Sequence, residues 1–459
     1  MKIRSLFALW MGKAVAAILR RRGRRGTSLP GLVASRLSRS LLPHLLQQLQ
    51  VCVLVTGTNG KTTTSALLHA MVDSPADPWL TNHGGANLYQ GLLAALLTQT
   101  DWLGRLRCHK AVLEVDEATL PKVVERFRPT VIVVTNVLRD QLDRYGEVDR
   151  ALALLRQGVR DLGITLVTNA DDPLASSLGM ERELTVFYGL DARQEEGSLR
   201  NEVRDGAFCL RCGRELEYAY FIYGQLGNYR CPAGHFERPA PQLSGRFTKS
   251  MEEPSAMQEL AVQTVVEQTN ESSLPLIYMV SATIFGLYNH YNLLAAVSAA
   301  RTLGYSPRTI VEGVKNYRSP LGRMQVFPGN PFCTLTLIKN PTGANSVLRA
   351  LETHTAAKRI CFAINDADAD GRDVSWLWDI DIEGFLPRSQ SDSFYCAGTR
   401  ALDMALRLVY AGVPRDAIKV IAELAQIVAE TADDTTPLYV LSTYTALYPL
   451  AGYLEAKQS

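Results

Sequence analysis

An α/β fold with a parallel sheet and a phosphate-binding loop is what this sequence predicts, and three observations predict it. Apolar runs at 51–55, 111–115, 131–135 and 165–168 are each followed by polar turn residues and a helical stretch, the pattern of successive βα units. The first run leads directly into Gly57-Thr58-Asn59-Gly60-Lys61-Thr62-Thr63, where glycines give way to Lys-Thr and a helix-like pattern. With 459 residues, 47% hydrophobic and 20% charged, the chain has room for two or three domains and the balance of an ordinary globular protein.

Residues 1–50 read as a basic helical segment. Lys2, Arg4, Lys13, Arg20, Arg21, Arg22, Arg24, Arg25, Arg36 and Arg39 all precede the first acidic residue, Asp73, although the whole chain has a net charge of only +2. Such a block is drawn to anionic surfaces, whether lipid headgroups or nucleic acid. Leu6, Trp10, Val15, Ile18 and Leu19 lie among the basic residues as on an interfacial helix, which favours a membrane surface over nucleic acid. A solvated or partly disordered basic helix is the plain alternative. The stretch 5–19 is too short to span a bilayer, Lys13 interrupts it, and no small-residue cleavage site follows before the arginine cluster. The expectation is a cytoplasmic protein, attached peripherally at the inner membrane face.

The loop at 57–63 explains itself as nucleotide chemistry. Glycines let backbone N–H groups approach phosphate oxygens, the following helix N-terminus presents unpaired donors, Lys61 supplies a positive charge, and the Thr62 hydroxyl can hold Mg²⁺. Only two residues separate Gly57 from Gly60, tighter than the commonest phosphate loop. The later strands end in Glu114, Asn136 and Asp171-Asp172, polar groups at the carboxyl ends of strands, where parallel sheets bind ligands.

Cysteine usage divides in two. Cys52, Cys108, Cys333, Cys361 and Cys396 are scattered in apolar settings and read as reduced thiols, and none sits in a glycine-flanked elbow after a strand. The remaining three cluster: Cys209-Leu210-Arg211-Cys212, then eighteen residues, then Cys231-Pro232-Ala233-Gly234-His235. Two such knuckles can supply tetrahedral sulfur and nitrogen ligands to zinc, from Cys209, Cys212, Cys231 and His235. A metal-free loop held by Tyr218, Tyr220 and Phe221 is the alternative.

These motifs together resemble the Mur ligases. The form of the loop, Thr56-Gly57-Thr58-Asn59-Gly60-Lys61-Thr62, is similar to their ATP loop, and Glu114 in Leu113-Glu114-Val115-Asp116-Glu117 matches their magnesium carboxylate. Thr135-Asn136 with Asp140-Gln141-Leu142-Asp143-Arg144-Tyr145 matches the next motif, and Gly286-Leu287-Tyr288-Asn289-His290-Tyr291-Asn292 the one that meets adenine. Pro320-Leu321-Gly322-Arg323 resembles the entrance to the final domain, whose arginine faces the ATP phosphates. Without those motifs, Tyr288 and Asn289 would read as helix capping and packing. Two departures stand out. Gln141 replaces the usual histidine, and no lysine occurs between Lys122 and Lys249 where a carbamylated one is expected. No domain for a uridine nucleotide precedes the loop, which makes a soluble UDP-linked precursor a less natural substrate.

Those absences, with the sequences Lys339-Asn340-Pro341-Thr342-Gly343-Ala344-Asn345, Asp370-Gly371-Arg372-Asp373-Val374-Ser375-Trp376-Leu377-Trp378-Asp379 and Ser442-Thr443-Tyr444-Thr445-Ala446-Leu447, make the chain similar to the MurT family over roughly 27–455. The resemblance implies a Mur-ligase central domain at 51–318, a zinc-ribbon-like insertion at 205–238 and a smaller α/β C-terminal domain at 319–459. It implies ATP, Mg²⁺ and Zn²⁺, the zinc site being a four-cysteine ribbon in relatives where this chain has Gly234 and then His235. It further implies ATP-dependent amidation of the D-glutamate α-carboxyl of the lipid II stem peptide to D-isoglutamine through an acyl phosphate. Ammonia would come from a GatD-like glutaminase subunit, and this chain would lend that subunit an aspartate. Asp373 is the expected one and Asp370 the second choice; most carboxylates of 366–381 would be solvated. The expected nucleotide set is Gly57, Thr58, Asn59, Gly60, Lys61, Thr62, Thr63, Asn289 and Arg323, with Lys61, Glu114 and Asp373 catalytic and Thr62 and Glu114 on magnesium. Trp376 and Trp378 read as core or interface anchors, and His83 as part of a glycine-rich turn or a loop closing over phosphate. A stand-alone Mur or folylpolyglutamate-synthase-like ligase is the competing enzyme reading; a regulatory ATPase or zinc-ribbon nucleic-acid binder is the competing non-enzymatic one.

Overall fold

The computed structural model describes residues 3–21, 28–82, 86–138, 148–161, 163–191, 204–248, 260–267, 275–284, 286–327, 333–352, 356–386, 392–430 and 436–458. The motif at 140–147 with Gln141, and likewise His83 and Lys249, lie outside them.

The apolar run at 51–55 becomes β1 (Val51–Thr56), flanked in parallel by β3 (Lys110–Glu114) and β4 (Val131–Val134). Its alternate residues feed different cores: Val53 and Val55 join one cluster, Cys52 and Leu54 the other. A strand buried on both faces has no reason to alternate polar and apolar residues, which is why the sequence shows an unbroken run. With β2 (Leu80–Thr81), β5 (Thr165–Asn169), β6 (Thr185–Leu190), β9 (Leu243–Thr248), β10 (Leu260–Glu267) and β11 (Leu276–Thr283), these strands form a nine-stranded sheet, parallel from β2 through β9 and antiparallel over its last pairs.

Helices cover both faces. Lys61–Val72, Leu287–Thr302 and Pro307–Val314 pack on one side. Tyr89–Thr98 lies on the other, and against it sit the N-terminal helices Leu29–Leu37 and Leu41–Leu46, with Ile3–Arg21 outermost. The basic segment is therefore a helical layer over the sheet: Ala8, Leu9, Ala34, Leu41, Leu42, Leu45 and Leu46 are buried. Gly31 permits that contact, because a Cβ there would fall 1.8 Å from the Gln90 carbonyl oxygen.

β7 (Glu217–Tyr223) and β8 (Leu226–Arg230) form a separate hairpin with its own small core of Cys209, Leu216, Tyr229, Cys231 and Phe236. After Gly322 a second sheet begins. Its order is β12 (Gln325–Phe327), β13 (Cys333–Leu337), β17 (Leu438–Ser442), β14 (Arg359–Ala363), β15 (Ser393–Ala397), β16 (Ile418–Val420), parallel except at the β12 edge, with a core on each face.

Candidate functional site

The phosphate loop is held from outside by β4's exit. Asn59 N–H donates to Asn136 Oδ1 (2.9 Å), while the Asn59 carbonyl accepts from Thr135 Oγ1 (2.7 Å) and Asn136 Nδ2 (3.0 Å). Thr58 Oγ1 donates to the Leu138 carbonyl and accepts from the Leu138 N–H, both at 3.0 Å. Both glycines are dictated by geometry: Gly57 (φ +117°) would place a Cβ 2.4 Å from Thr135 Oγ1, and Gly60 (φ +85°) one 2.0 Å from Asn292 Oδ1. Gly60 caps the helix Lys61–Val72 without a side-chain acceptor, leaving its first N–H groups for an anion.

Lys61 is buried and curls back onto its own loop. Its Nζ donates to the Gly57 and Thr58 carbonyls and pairs with Glu117 Oε1 at 3.2 Å. Burial pushes the Glu117 carboxyl up, and Lys61 opposes the shift. Glu117 closes the 113–117 segment, yet nothing in the sequence marks it as the lysine's partner. Glu114, at the end of β3 beside Val55, is also buried and accepts from Asn87 Nδ2 at 2.9 Å. Arg323 crosses from the C-terminal lobe to donate through Nη2 to Thr62 Oγ1 at 3.1 Å.

Between the lobes lies an open cleft whose empty space, its solvent-filled mouth included, is about 670 Å³. Asn59, Gly60, Thr63, Asn136 and Asn292 line one side, Gly322, Arg323, Lys339, Asn340, Thr342 and Ser346 the other, and Tyr223 and Tyr288 close it. The Asn59 and Asn340 amides pair across it, with contacts of 3.4 and 3.2 Å. Asn289 stands behind this wall, accepting from Asn292 Nδ2 at 2.8 Å. Lys339, Asn340 and Tyr223 are the residues the sequence leaves without a site; the first two belong to the 339–345 motif, but only the folded cleft shows what they face.

Asp171 and Asp172 turn out to be anchors for the hairpin. Asp171 accepts from Arg238 Nε, Tyr291 Oη (2.6 Å each) and the Leu190 N–H (2.8 Å). Asp172 accepts from Gln225 Nε2 (2.6 Å), Val137 N–H (2.7 Å) and Leu174 N–H (3.0 Å), and burial pushes its carboxyl up to about 6. Full burial with so many donors leaves neither carboxylate for a ligand. The same anchorage carries the hairpin turn Tyr223-Gly224 into the cleft region.

At the hairpin's far end, one ligand atom from each of Cys209, Cys212, Cys231 and His235 lies within 4.8 Å of the others. Cys212 and Cys231 Sγ atoms are 3.6 Å apart, close to the ~3.8 Å edge expected for sulfurs about 2.3 Å from a tetrahedral ion. Gly213 and Gly234, at positive φ, turn the two knuckles, and the Ala233 N–H donates to Cys231 Sγ at 3.4 Å. Burial works to raise the Cys231 thiol, but the His235 and Ala233 N–H groups and the neighbouring thiols bring it down to about 7. The donor set fits a zinc ion.

The C-terminal carboxylates separate by environment. Asp370 is buried and accepts from the Thr445 N–H (2.6 Å) and hydroxyl (2.5 Å) and the Ala367 N–H (3.1 Å), fixing the start of the helix Tyr444–Gln458. Asp373 is half-exposed; the Ser375 N–H, 2.8 Å from Oδ1, holds its carboxyl below the ordinary value. Nearby, Trp378, Leu402, Leu406 and Tyr410 leave 50%, 73%, 50% and 72% of their surface open, with Trp378 and Tyr410 edge to face at 5.5 Å and Arg407 over the indole.

The fold and loop define a protein of the Mur ligase class, and that fold implies ATP and Mg²⁺. The sequence matches the Mur ligase middle domain over residues 55–223 and the MurT ligase C-terminal domain over residues 337–447. It is 32% identical to the lipid II isoglutaminyl synthase (glutamine-hydrolyzing) subunit MurT of Staphylococcus aureus (strain COL), across 99% of this chain and 98% of that one. The subunit of the same name from Streptococcus pneumoniae (strain ATCC BAA-255 / R6) is also 32% identical, over 100% of this chain and 98% of its own length. The chain belongs to the MurT family. Among solved structures, a pseudomurein peptide ligase type C from Methanothermus fervidus aligns with a TM-score of 0.65 at 21% identity, over 89% of this chain and 79% of its own. MurF from Acinetobacter baumannii aligns at 0.62 and 17%, over 93% and 81%; at such identities these likenesses speak for the fold alone.

Proposed function

We propose that this chain is the ligase subunit of a lipid II isoglutaminyl synthase, converting the D-glutamate α-carboxyl of the lipid II stem peptide to D-isoglutamine. The observation that carries the reading is the meeting, across one cleft, of a Mur-type phosphate loop with a MurT-type C-terminal segment, in a chain similar to MurT subunits over its full length. A carboxylate is a poor electrophile. A carboxylate oxygen therefore takes the γ-phosphoryl group of ATP, releasing ADP; the ammonia nitrogen then bonds to the acyl carbon, the carbon–oxygen bond to phosphate breaks, phosphate leaves with the electron pair, and nitrogen loses a proton.

Such transfer rests on positioning and charge neutralisation. Backbone N–H groups of Gly57, Gly60, Lys61, Thr62 and Thr63 hold phosphate oxygens, Thr58 and Asn59 keep the loop open around them through their bonds to Asn136 and Leu138, and Lys61 exchanges its carbonyl contacts for the phosphates. Arg323 approaches from the facing lobe, and Asn289 shapes the adenine side together with Tyr288 and Asn292. Thr62 and Glu114 would hold Mg²⁺, which when bound neutralises phosphate charge. Cys209, Cys212, Cys231 and His235 would hold a structural zinc ion, keeping the hairpin rigid.

Ammonia is mostly protonated near neutral pH, so a glutaminase subunit of the GatD type supplies it. Asp373 completes that subunit's Cys-His pair by orienting the imidazole and stabilising its charged form. Its ionised, half-exposed carboxylate suits the role, whereas Asp370 is committed to Thr445. The uncovered Trp378–Tyr410 face beside it is the docking surface for that subunit. Lipid II brings its stem peptide to the enzyme at the cytoplasmic membrane surface. The test is co-expression with a neighbouring glutaminase-like gene, followed by amidation of lipid II with glutamine labelled with ¹⁵N in the side-chain amide. Copurification and label in the product support the reading; a chain that turns over ATP without lipid II, or needs no partner, overturns it.

A further inference from the structure

The outermost helix, Ile3–Arg21, is apolar on two opposite sides, and only one of them is used inside the protein. Ser5, Ala8, Leu9 and Gly12 face inward, and a Cβ on Gly12 would stand 2.7 Å from Leu97 and 3.2 Å from Ala34. At 100° per residue, Ile3, Phe7, Trp10, Met11, Ala14 and Ile18 fall together on the outward side. They are open there: Ile3 is 88% exposed, Phe7 51%, Trp10 44%, Met11 38% and Ile18 52%. Leu6, Val15 and Leu19, which the sequence placed with Trp10 and Ile18, are instead half-buried at the sides.

A second element extends this stripe. Trp10 Nε1 donates to the Trp102 carbonyl at 2.8 Å, and Lys13 Nζ donates to the Thr100 carbonyl at 2.6 Å while lying 5.7 Å from the centre of the Trp102 ring. Trp102 and Leu103 thereby project beside the helix, 68% and 61% exposed. Single exposed apolar residues need no explanation, but seven on one contiguous face do.

The charges around the face say what covers it. Arg4, Arg20, Arg21, Arg105 and Arg107 are exposed around it, and burial and then Arg107 and Arg20 lower the Lys13 ammonium, with Asp101 opposing them. Asp101, the acidic residue of this loop, turns its carboxylate onto the Leu103 and Arg105 N–H groups at 2.8 and 2.9 Å. No acidic residue precedes Asp73 in the chain. A protein partner with a matching apolar patch would have to tolerate this excess of positive charge, whereas an anionic lipid surface is attracted by it and offers hydrocarbon to the tryptophans. No helix among the described residues is long and apolar enough to cross a membrane, so the geometry is that of a helix lying in the interface.

We propose that Ile3–Arg21 and the Trp102-Leu103 turn form a docking face for an anionic lipid bilayer, with the roughly 28 Å helix lying in the membrane plane. The inference deepens the functional reading and rests on it for its purpose: a lipid-borne substrate is reached by an enzyme held at the surface. The binding itself is measured without that substrate.

The experiment uses the full chain with its glutaminase partner, and sedimentation with vesicles of phosphatidylglycerol or of phosphatidylcholine alone, free of lipid II. Binding to phosphatidylglycerol vesicles that weakens with salt, and is much lower on phosphatidylcholine, is expected. Phe7→Ser with Trp102→Ser should reduce partitioning at least tenfold, and Arg20→Glu with Arg107→Glu should both reduce it and flatten the salt dependence, each basic side chain being worth roughly fivefold near an anionic surface. Unchanged melting temperatures keep the comparison fair, and Ile18→Ser provides a milder variant should the first pair fail to fold. No binding by the unaltered complex, or equal binding by all variants, overturns the inference. So does a self-association that the same substitutions dissolve without any vesicle binding, which would assign the face to a second copy. Failure of amidation with intact vesicle binding would instead count against the functional reading alone.

Discussion

The two lobes present their polar machinery in opposite ways. In the central lobe the loop at 57–62 is enclosed: the Asn59 amide and carbonyl are tied to Thr135 and Asn136, the Thr58 hydroxyl to Leu138, and Lys61 is buried with Glu117. In the C-terminal lobe Asp373 sits half-exposed, five residues before Trp378 of an uncovered aromatic face. Phosphoryl transfer gains from charges fixed in place before the substrate arrives, whereas a carboxylate lent to another subunit must remain reachable. On the proposed function, enclosure and openness mark two different half-reactions.

The comparison breaks first if the enclosed charge is dispensable. Lys61→Ala should leave the fold largely intact and lower ATP-dependent amidation at least a hundredfold, about 2.7 kcal/mol of barrier, in single-turnover assays. Arg323→Gln, which removes the charge but keeps an amide to meet Thr62, should cost about tenfold, read as kcat with ATP saturating. On the open side, Trp378→Ser with Tyr410→Ser should weaken association with the glutaminase tenfold or more by calorimetry, with ammonia-driven amidation kept.

Smaller effects sharpen the contrast further. Metal analysis of reduced protein should find one zinc per chain, and Cys212→Ser should lose it and loosen the Tyr223 side of the cleft, raising KM for ATP a few-fold. An unchanged zinc content in His235→Ala would remove only the fourth ligand. The smallest concerns pH. The Asp373 carboxyl lies below its ordinary 3.8, so its charge is present above that value and lost only as pH falls through the lower folded-state one. Glutamine-dependent activity measured between about pH 5 and 8 should thus carry no limb from Asp373 itself, and Asp373→Asn, by removing the charge that stabilises the partner's imidazolium, should lower the rate and shift any acid limb of that histidine to lower pH.

Much of the enclosed lobe was legible in the sequence, and for a physical reason. A strand buried on both faces must be a continuous apolar run, and runs at 51–55, 111–115, 131–135 and 165–168 became Val51–Thr56, Lys110–Glu114, Val131–Val134 and Thr165–Asn169. Local motifs such as Gly57-x-x-Gly60 carry their geometry in φ and in space for no Cβ. Pairings that need tertiary contact were not legible: Lys61 with Glu117, Asn59 with Asn340, and the hairpin turn at Tyr223 reaching the cleft. Asp171 and Asp172 misled for the same reason, since a strand-end carboxylate looks alike whether it faces a ligand or anchors a neighbouring hairpin. The outward side of Ile3–Arg21 was equally hidden, because a helix apolar on two opposite sides does not announce which one its neighbours will cover.

The central claim, that one chain keeps its own ligase site and lends a carboxylate to another, is tested most directly by ammonia rescue in the intact complex. Asp373→Asn and Lys61→Ala are each assayed for lipid II amidation with glutamine, and then with concentrated ammonium at a pH where free ammonia is abundant. Both variants should fail with glutamine, and ammonia should restore most of the rate to Asp373→Asn but none to Lys61→Ala. Full glutamine-dependent activity in Asp373→Asn, or no rescue of it by ammonia, would contradict the account.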